Sequence, residues 1–221
     1  MTMVRVVGKG RTEPMAVTEL DARRAGAART VIDVGTGDAH YPYRLALAHP
    51  DWLVVGIDAL DEPMGEIARK AGRKPAKGGV ANLLLLRAAA ESLPGELHDV
   101  ADEVTVLLPW GRLLEGIVLA HDDVVRGLAE LLRPAGRLAI TLNGEIWVES
   151  LPVRYEHVPV PTPDHIAEVV APAFARAGVD VGPASYLPAD AALALPTTWA
   201  RKLAHGRAHP RYVHFEGEKR T

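Results

Sequence analysis

The residues best able to do chemistry lie in one stretch, Val31-Ile32-Asp33-Val34-Gly35-Thr36-Gly37-Asp38. An apolar run ends in a loop with two glycines, flanked by acids. In an open α/β sheet such a strand delivers its loop to the carboxyl edge, where ligands bind. Gly35 and Gly37 let the backbone turn tightly and approach a ligand without a Cβ in the way. Asp33 would sit beside that loop, facing a cationic amino acid moiety. A second apolar run, Leu53 to Asp58, ends about 20 residues further on, at the spacing where a carboxylate accepts from ribose hydroxyls. The dinucleotide fingerprint needs a further glycine, and its position holds His40. Asp33 and Asp38 would also repel a pyrophosphate. Acids around the loop suit a sulfonium–ammonium cofactor, so S-adenosylmethionine is favoured over a dinucleotide. A glycine-rich turn with no cofactor is the remaining reading.

Other segments reach the same edge. Ala88-Ala89-Ala90-Glu91 follows a third apolar run. Its small residues leave room for a flat adenine, and Glu91 either accepts the adenine amino group or caps a helix. Pro109-Trp110-Gly111 follows a fourth run. A tryptophan between proline and glycine is either a plug at the sheet edge or a π-face on which an extruded base stacks. Trp199 either anchors a short helix or supplies a second stacking face. Lys202, Arg207 and His209 nearby weigh toward stacking, because stacking groups beside phosphate-binding groups make up a nucleic-acid site. Arg69, Lys70, Arg73, Lys74 and Lys77 form another basic cluster, either a solvated helix end or a phosphate-contacting surface. Trp52 and Trp147 read as structural.

The elements that must position these groups alternate. Strands are expected at Val31–Val34, Leu53–Asp58, Leu83–Arg87, Glu103–Leu108 and Arg137–Leu142. Helices are expected at Tyr43–Ala48, Glu62–Lys70 and Asp122–Leu132, the last stopped by Pro134-Ala135-Gly136. Continuous apolar strands with helices between them imply a parallel sheet covered on both faces, an α/β fold. Lys74 to Gly79 reads as a linker rich in helix breakers. Beyond Asn143 the pattern weakens. A helix is expected at Asp164–Ala177 and a short one within Pro196–Ala204. Val179–Tyr186 and Arg211–Phe215 read as a terminal hairpin.

Composition sets limits. The 221 residues carry 25 Lys and Arg against 28 Asp and Glu, a formal net charge of −3. Nucleic-acid binding would therefore rest on local clusters, not on overall charge. A hydrophobic content of 48% with 24% charged residues describes a globular chain. No apolar run approaches the ~20 residues that cross a bilayer, and Met1 to Pro14 lacks the apolar core of a signal peptide. A cytoplasmic protein without membrane contact is expected. The chain has no cysteine, which excludes disulfides, thiolate zinc sites and cysteine nucleophiles. No metal site is expected.

Five segments together resemble one family. They are Asp33-Val-Gly-Thr-Gly-Asp38, Lys74-Pro-Ala-Lys-Gly-Gly79, Ala88-Ala-Ala-Glu-Ser-Leu-Pro94, Leu108-Pro-Trp-Gly111 and Trp199-Ala-Arg-Lys-Leu203. The chain resembles, over nearly its whole length, the aminoglycoside-resistance 16S rRNA methyltransferases of the KamB/NpmA type. The resemblance implies a Rossmann-like class I fold with an N-terminal hairpin and added rRNA-contacting segments. It implies one domain: an extension at 1–28, a cofactor-binding core at 29–143 and a C-terminal part at 144–221. The implied reaction is methyl transfer from S-adenosylmethionine to N1 of adenine-1408 in the decoding site of the 30S subunit, giving resistance to aminoglycosides such as kanamycin and apramycin. A monomer is expected. Asp33, Gly35, Gly37, Asp38, Asp58, Ala90, Glu91 and Pro109 would hold the cofactor. Trp110 and Trp199 would stack the flipped adenine. Arg69, Lys70, Lys74, Lys77, Lys202, Arg207 and His209 would contact rRNA. The chain departs from the pattern at Ala39 and His40, where the family has glycine and a long cation, and at Arg112, where it often has a small hydroxyl residue. Two other readings stay open: a methyltransferase of a small molecule, and an inactive rRNA-binding homologue.

Overall fold

The computed structural model describes residues 3–144, 155–188, 190–191, 195 and 211–221. Trp147, the short helix expected within 196–204, Trp199, Lys202, Arg207 and His209 lie outside the described residues.

The chain opens with a hairpin of β1 (Met3–Gly8) and β2 (Arg11–Met15), followed by helix α1 (Val17–Ala25). Five strands then alternate with helices: β3 (Arg29–Val34), β4 (Trp52–Asp58), β5 (Leu83–Arg87), β6 (Ala101–Leu107) and β7 (Leu132–Asn143). Between them run α2 (His40–Ala48), α3 (Gly65–Ala71), α4 (Gly111–Val118) and α5 (Asp122–Leu131). The five strands pair in parallel in the order β5-β4-β3-β6-β7. The alternating direction of strand side chains buries both faces of this sheet. Ile32, Val34, Val55, Ile57, Leu84 and Leu86 join one core cluster, with α5. Val54, Leu83 and Leu85 join the other, with Tyr43 and Ile67 of α2 and α3. From β3 the chain steps outward to β4 and β5, then crosses back to β6 on the other side. The order reverses between β3 and β6, and that switch point is where open α/β sheets bind ligands.

The sheet continues at both ends. β1 joins β5 antiparallel, so the hairpin extends that edge. At the other end β10 (Tyr212–Lys219) runs antiparallel between β7 and β8 (Val179–Val181), and the short β9 (Ser185–Tyr186) also pairs with β10. The expected terminal hairpin is present, but its first arm is split and its second extends to Lys219. Gly182 and Pro183 lie at the split, and Pro183 has no N–H to give a ladder.

Several boundaries differ from expectation. β7 starts at Leu132 because Leu132 pairs with Ala101 before a bulge, and the ladder resumes at Arg137 opposite Glu103. Pro134-Ala135-Gly136 form that bulge instead of a helix stop. The helix expected at 164–177 is three joined pieces: α6 (Pro163–His165), a π-helical turn Ile166–Val170, and α7 (Ala171–Arg176). Pro172 explains the widened turn, since it cannot donate to the carbonyl four residues back. Helices α1 and α4 were not expected. Trp52 is structural, as expected: its ring stacks on His49 at 3.8 Å, with Arg29 5.0 Å away. Among the described residues, no helix is long and apolar enough to cross a membrane.

Candidate active site

A cleft of about 670 Å³ opens at the switch point. Asp33, Gly35, Gly37, Asp38, Asp58, Ala90, Glu91, Pro109 and Trp110 all line it. Every described residue expected to hold the cofactor or the base is thus brought to one place, from the carboxyl ends of β3, β4, β5 and β6.

The β3 loop is held by its neighbour strand. Gly35 and Thr36 donate backbone N–H groups to the Ile57 carbonyl at 2.8 and 3.0 Å. Gly37 donates to Asp58 Oδ2 at 2.8 Å. Both glycines have positive φ, +75° and +57°, a conformation that L side chains adopt only with strain. At Gly35 a Cβ would also meet Leu113 of α4 at 2.6 Å. Ala39, at the glycine position of the resembled family, takes φ 59°. Strain of ~1–2 kcal/mol follows for an alanine there. Its methyl group is fully buried against the Tyr43 and Met64 cluster, which returns ~0.8 kcal/mol.

The two acids expected to read the cofactor differ in state. Asp33 is 3% exposed and accepts from the Thr105 hydroxyl at 2.8 Å. Burial, together with the nearby Asp58 charge, pushes its carboxyl up to about 7. Asp58 is only half-buried, and its two oxygens accept from Gly37 and Leu60 backbone N–H groups. Burial raises it too, against the pull of those backbone bonds. A carboxylate has about four acceptor sites, so Asp58 keeps acceptor capacity for a ribose hydroxyl beside its backbone bonds.

Glu91 sits in a single 3-10 turn, Ala90–Ser92, with no side-chain cap. Its carboxylate forms an ion pair with Arg112 Nε at 2.9 Å and makes no capping hydrogen bond to this turn or to α4. The small residues before it come close to α5: a Cβ on Gly127 would lie 2.4 Å from the Ala90 carbonyl.

The Trp110 corner is built with unusual backbone. Leu108 has φ 51° and Gly111 has φ 62°, so β6 ends in a sharp turn. Gly111 N–H donates to the Tyr155 hydroxyl at 2.7 Å, and the Tyr155 ring lies 6.4 Å from that of Trp110. Tyr155 is fully buried, while Trp110 is 37% exposed. Trp110 therefore does not plug the sheet edge; it lines the cleft with an accessible ring.

The basic cluster stands apart from the cleft. Arg69 and Lys70 lie in the last turn of α3, and Lys74 precedes and Lys77 ends a 3-10 turn, Pro75–Lys77. This is a built turn, not a linker. Lys77 and Gly79 donate to the Lys74 carbonyl, and the Tyr43 hydroxyl donates to the Gly78 carbonyl at 2.8 Å. Gly79 approaches the Arg73 carbonyl so closely that a Cβ would lie 1.7 Å from it. Lys70 lies over the Tyr43 ring at 4.5 Å, and the remaining cations face outward.

Sequence reasoning missed Tyr41 and Tyr155. Tyr41 lines the cleft beside Asp33, and burial raises its hydroxyl strongly. Its place three residues past the loop was a usable signal. Tyr155 is far away in sequence and carried none.

This sheet order and this cleft, with paired carboxylates and small residues at the switch point, define a Rossmann-like class I methyltransferase that uses S-adenosylmethionine. Comparison with known proteins agrees and goes further. Residues 4–217 match the family described as NpmA, 16S rRNA (adenine(1408)-N(1))-methyltransferase. The chain belongs to that family. It is 42% identical over 210 residues to the 16S rRNA (adenine(1408)-N(1))-methyltransferase of Streptoalloteichus hindustanus, covering 93% of this chain and 94% of the relative. It is 30% identical to the enzyme of the same name from Escherichia coli, covering 81% and 82%. Among solved structures it is similar to a tryptophan-to-alanine variant of the Catenulisporales acidiphilia enzyme with its cosubstrate SAM. That match has a TM-score of 0.91 and 37% identity, covering 100% of this chain and 98% of the other. It is also similar to the 16S rRNA methyltransferase KamB, with a TM-score of 0.88 and 39% identity, covering 99% and 100%.

Proposed function

We propose that this chain, as one methyltransferase domain in the cytoplasm, methylates N1 of adenine-1408 of 16S rRNA within the assembled 30S subunit. The modification protects its host from aminoglycosides. The observation that carries this reading is Trp110, an accessible aromatic ring at the rim of a cleft whose floor is lined with carboxylates.

When bound, S-adenosylmethionine supplies an electrophilic methyl group. Asp33 and Asp38 face its cationic amino acid end, Asp58 takes the ribose hydroxyls, and Ala88 to Ala90 leave space for its adenine. Glu91 accepts the adenine amino group, and Gly35, Gly37 and Pro109 shape the walls. The target needs no general base, because adenine N1 already carries an in-plane lone pair. The protein's work is to extrude the base, orient N1 and exclude water. Trp110 and Trp199 stack the base, and their π-faces tolerate the positive charge of the 1-methyladenine product. Arg69, Lys70, Lys74 and Lys77, with Lys202, Arg207 and His209, contact rRNA phosphates. The enzyme acts as a monomer on the ribosome surface.

Labelled S-adenosylmethionine and purified 30S subunits test this, with primer extension to map the product. A stop at adenine-1408 is expected; labelling at a guanine N7, or none, overturns the reading. Base stacking is worth ~1–3 kcal/mol, so Trp110→Ala should lower kcat/KM for 30S subunits by ~5- to 150-fold. Trp110→Phe should recover most of that loss.

A further inference from the structure

The structure gives Arg112 a distinctive place. Four carboxyl groups line the cleft: Asp33, Asp38, Asp58 and Glu91. Arg112 is the one positively charged side chain among the described residues that line it. A nucleotide extruded into the cleft brings its backbone phosphate to the mouth. A cleft lined with carboxyl groups repels that phosphate unless a cation meets it. The basic cluster at Arg69 to Lys77 cannot do so, because none of those residues lines the cleft.

Arg112 is built for this contact. It is the second residue of α4, two positions after Trp110, at the corner pinned by the Gly111 to Tyr155 bond. Its side chain is 85% exposed, and its Nε lies 2.9 Å from Glu91 Oε1 in an ion pair. That ion pair faces Nε alone, and the terminal nitrogens of the guanidinium can grip an anion in bidentate fashion. Glu91 is only 19% exposed, so it sits deeper in the cleft while Arg112 faces solvent. So exposed a pair is held weakly, and Arg112 can exchange Glu91 for a phosphate at small cost.

We infer that Arg112 binds the backbone phosphate of the flipped target nucleotide, and that Glu91 holds it at the cleft mouth until the RNA arrives. This rests on the reading that the cleft accepts an extruded rRNA base. Arg112 faces Glu91 Oε1, so Oε2 is left for the adenine amino group of the cofactor whether or not RNA is bound.

The test uses the wild-type enzyme, Arg112→Ala and Arg112→Lys. Methylation of 30S subunits is measured over a range of salt, and S-adenosylmethionine binding by calorimetry. Arg112→Ala should raise KM for 30S subunits about tenfold, leave kcat within about twofold, and leave cofactor affinity unaltered. Its plot of log kcat/KM against log salt should be shallower by ~0.7–0.9, the loss of one phosphate contact. Arg112→Lys should restore the slope but only part of the KM, since an ammonium cannot grip in bidentate fashion. Wild-type KM and slope in Arg112→Ala would overturn the inference. So would a defect confined to cofactor affinity, which would make Arg112 a support for Glu91 alone. Failure of the wild-type enzyme to methylate adenine-1408 in the same assay would instead overturn the functional reading beneath it.

Discussion

At the scale of single residues, burial decides what each acid of the cleft can do. Asp33 and Asp58 both lie at the carboxyl end of a strand and both border the loop, yet only Asp33 is removed from water. Its carboxyl is pushed up to about 7, against about 3.9 for an unfolded aspartate. A folded value above the unfolded one means that the stabilising effect of the neutral form is complete below about pH 4. It is lost as pH rises through about 7. Without cofactor, Asp33 therefore costs the wild-type protein stability progressively across that window. Asp33→Asn removes the titration and keeps an acceptor for the Thr105 hydroxyl. The melting temperature of Asp33→Asn minus that of wild type should rise from pH 5 to about 7 and level off above it. Thermal melts in a series of buffers check this, and a constant difference would show that Asp33 does not titrate there. Cofactor affinity should move the other way, falling in Asp33→Asn because its cationic end loses a charge partner. The same physics explains why the sequence alone ranked the two acids equally. Strand position was legible from the apolar runs, but depth depended on Thr105 and α2 closing over Asp33.

Elements show where a short motif is structure first and chemistry second. Lys74-Pro-Ala-Lys-Gly-Gly79 looked like a flexible joint because it is rich in residues that stop helices. In the fold those same residues make one fixed turn. Pro75 opens the 3-10 turn, Gly78 takes φ 82°, and Gly79 leaves room for the Arg73 carbonyl. The turn presents Lys74 and Lys77 beside the end of α3, so two basic groups distant from the cleft share one surface. Gly79→Ala tests whether that presentation matters. A methyl group there must displace backbone, not a flexible side chain, at a cost of ~1–3 kcal/mol. Thermal melts should show that loss, and methylation of 30S subunits should fall as far as it does in a Lys74→Ala, Lys77→Ala double variant. Calorimetry should find cofactor binding near wild type in both, because the cleft does not include the turn. If Gly79→Ala methylates normally while destabilised, the turn serves the fold alone.

At the scale of the whole molecule, the sheet order explains why the central half of the sequence was readable and the rest less so. β3 to β7 each contain an apolar run buried in the sheet, and that run announces itself locally. The segments outside them depend on distant partners. β10 is identified only by its ladder to β7, α4 by its packing against Gly35 and α5, and Tyr155 by its bond to Gly111. The site was legible because all its loops leave the same edge, a consequence of parallel strands that a sequence does reveal. That arrangement also makes the cleft a property of the folded state. Asp33, Asp58, Glu91 and Trp110 come from four strands and are scattered in an unfolded chain. A cofactor that binds only the assembled site stabilises the whole fold by mass action. At a concentration of 100 times Kd the gain is ~2.7 kcal/mol. For a chain of this size each kcal/mol raises the melting temperature by ~2–4 °C. Saturating S-adenosylmethionine should therefore raise the melting temperature by roughly 5–11 °C, with the shift growing with ligand concentration. Asp58→Ala should lose most of it. Above about pH 7 NAD should give none, since Asp33 is then charged and meets its pyrophosphate, with Asp38, as a like charge. An equal shift with NAD would mean that the acids around Gly35 and Gly37 do not select the ligand, and the argument from charge at the loop would fall with it.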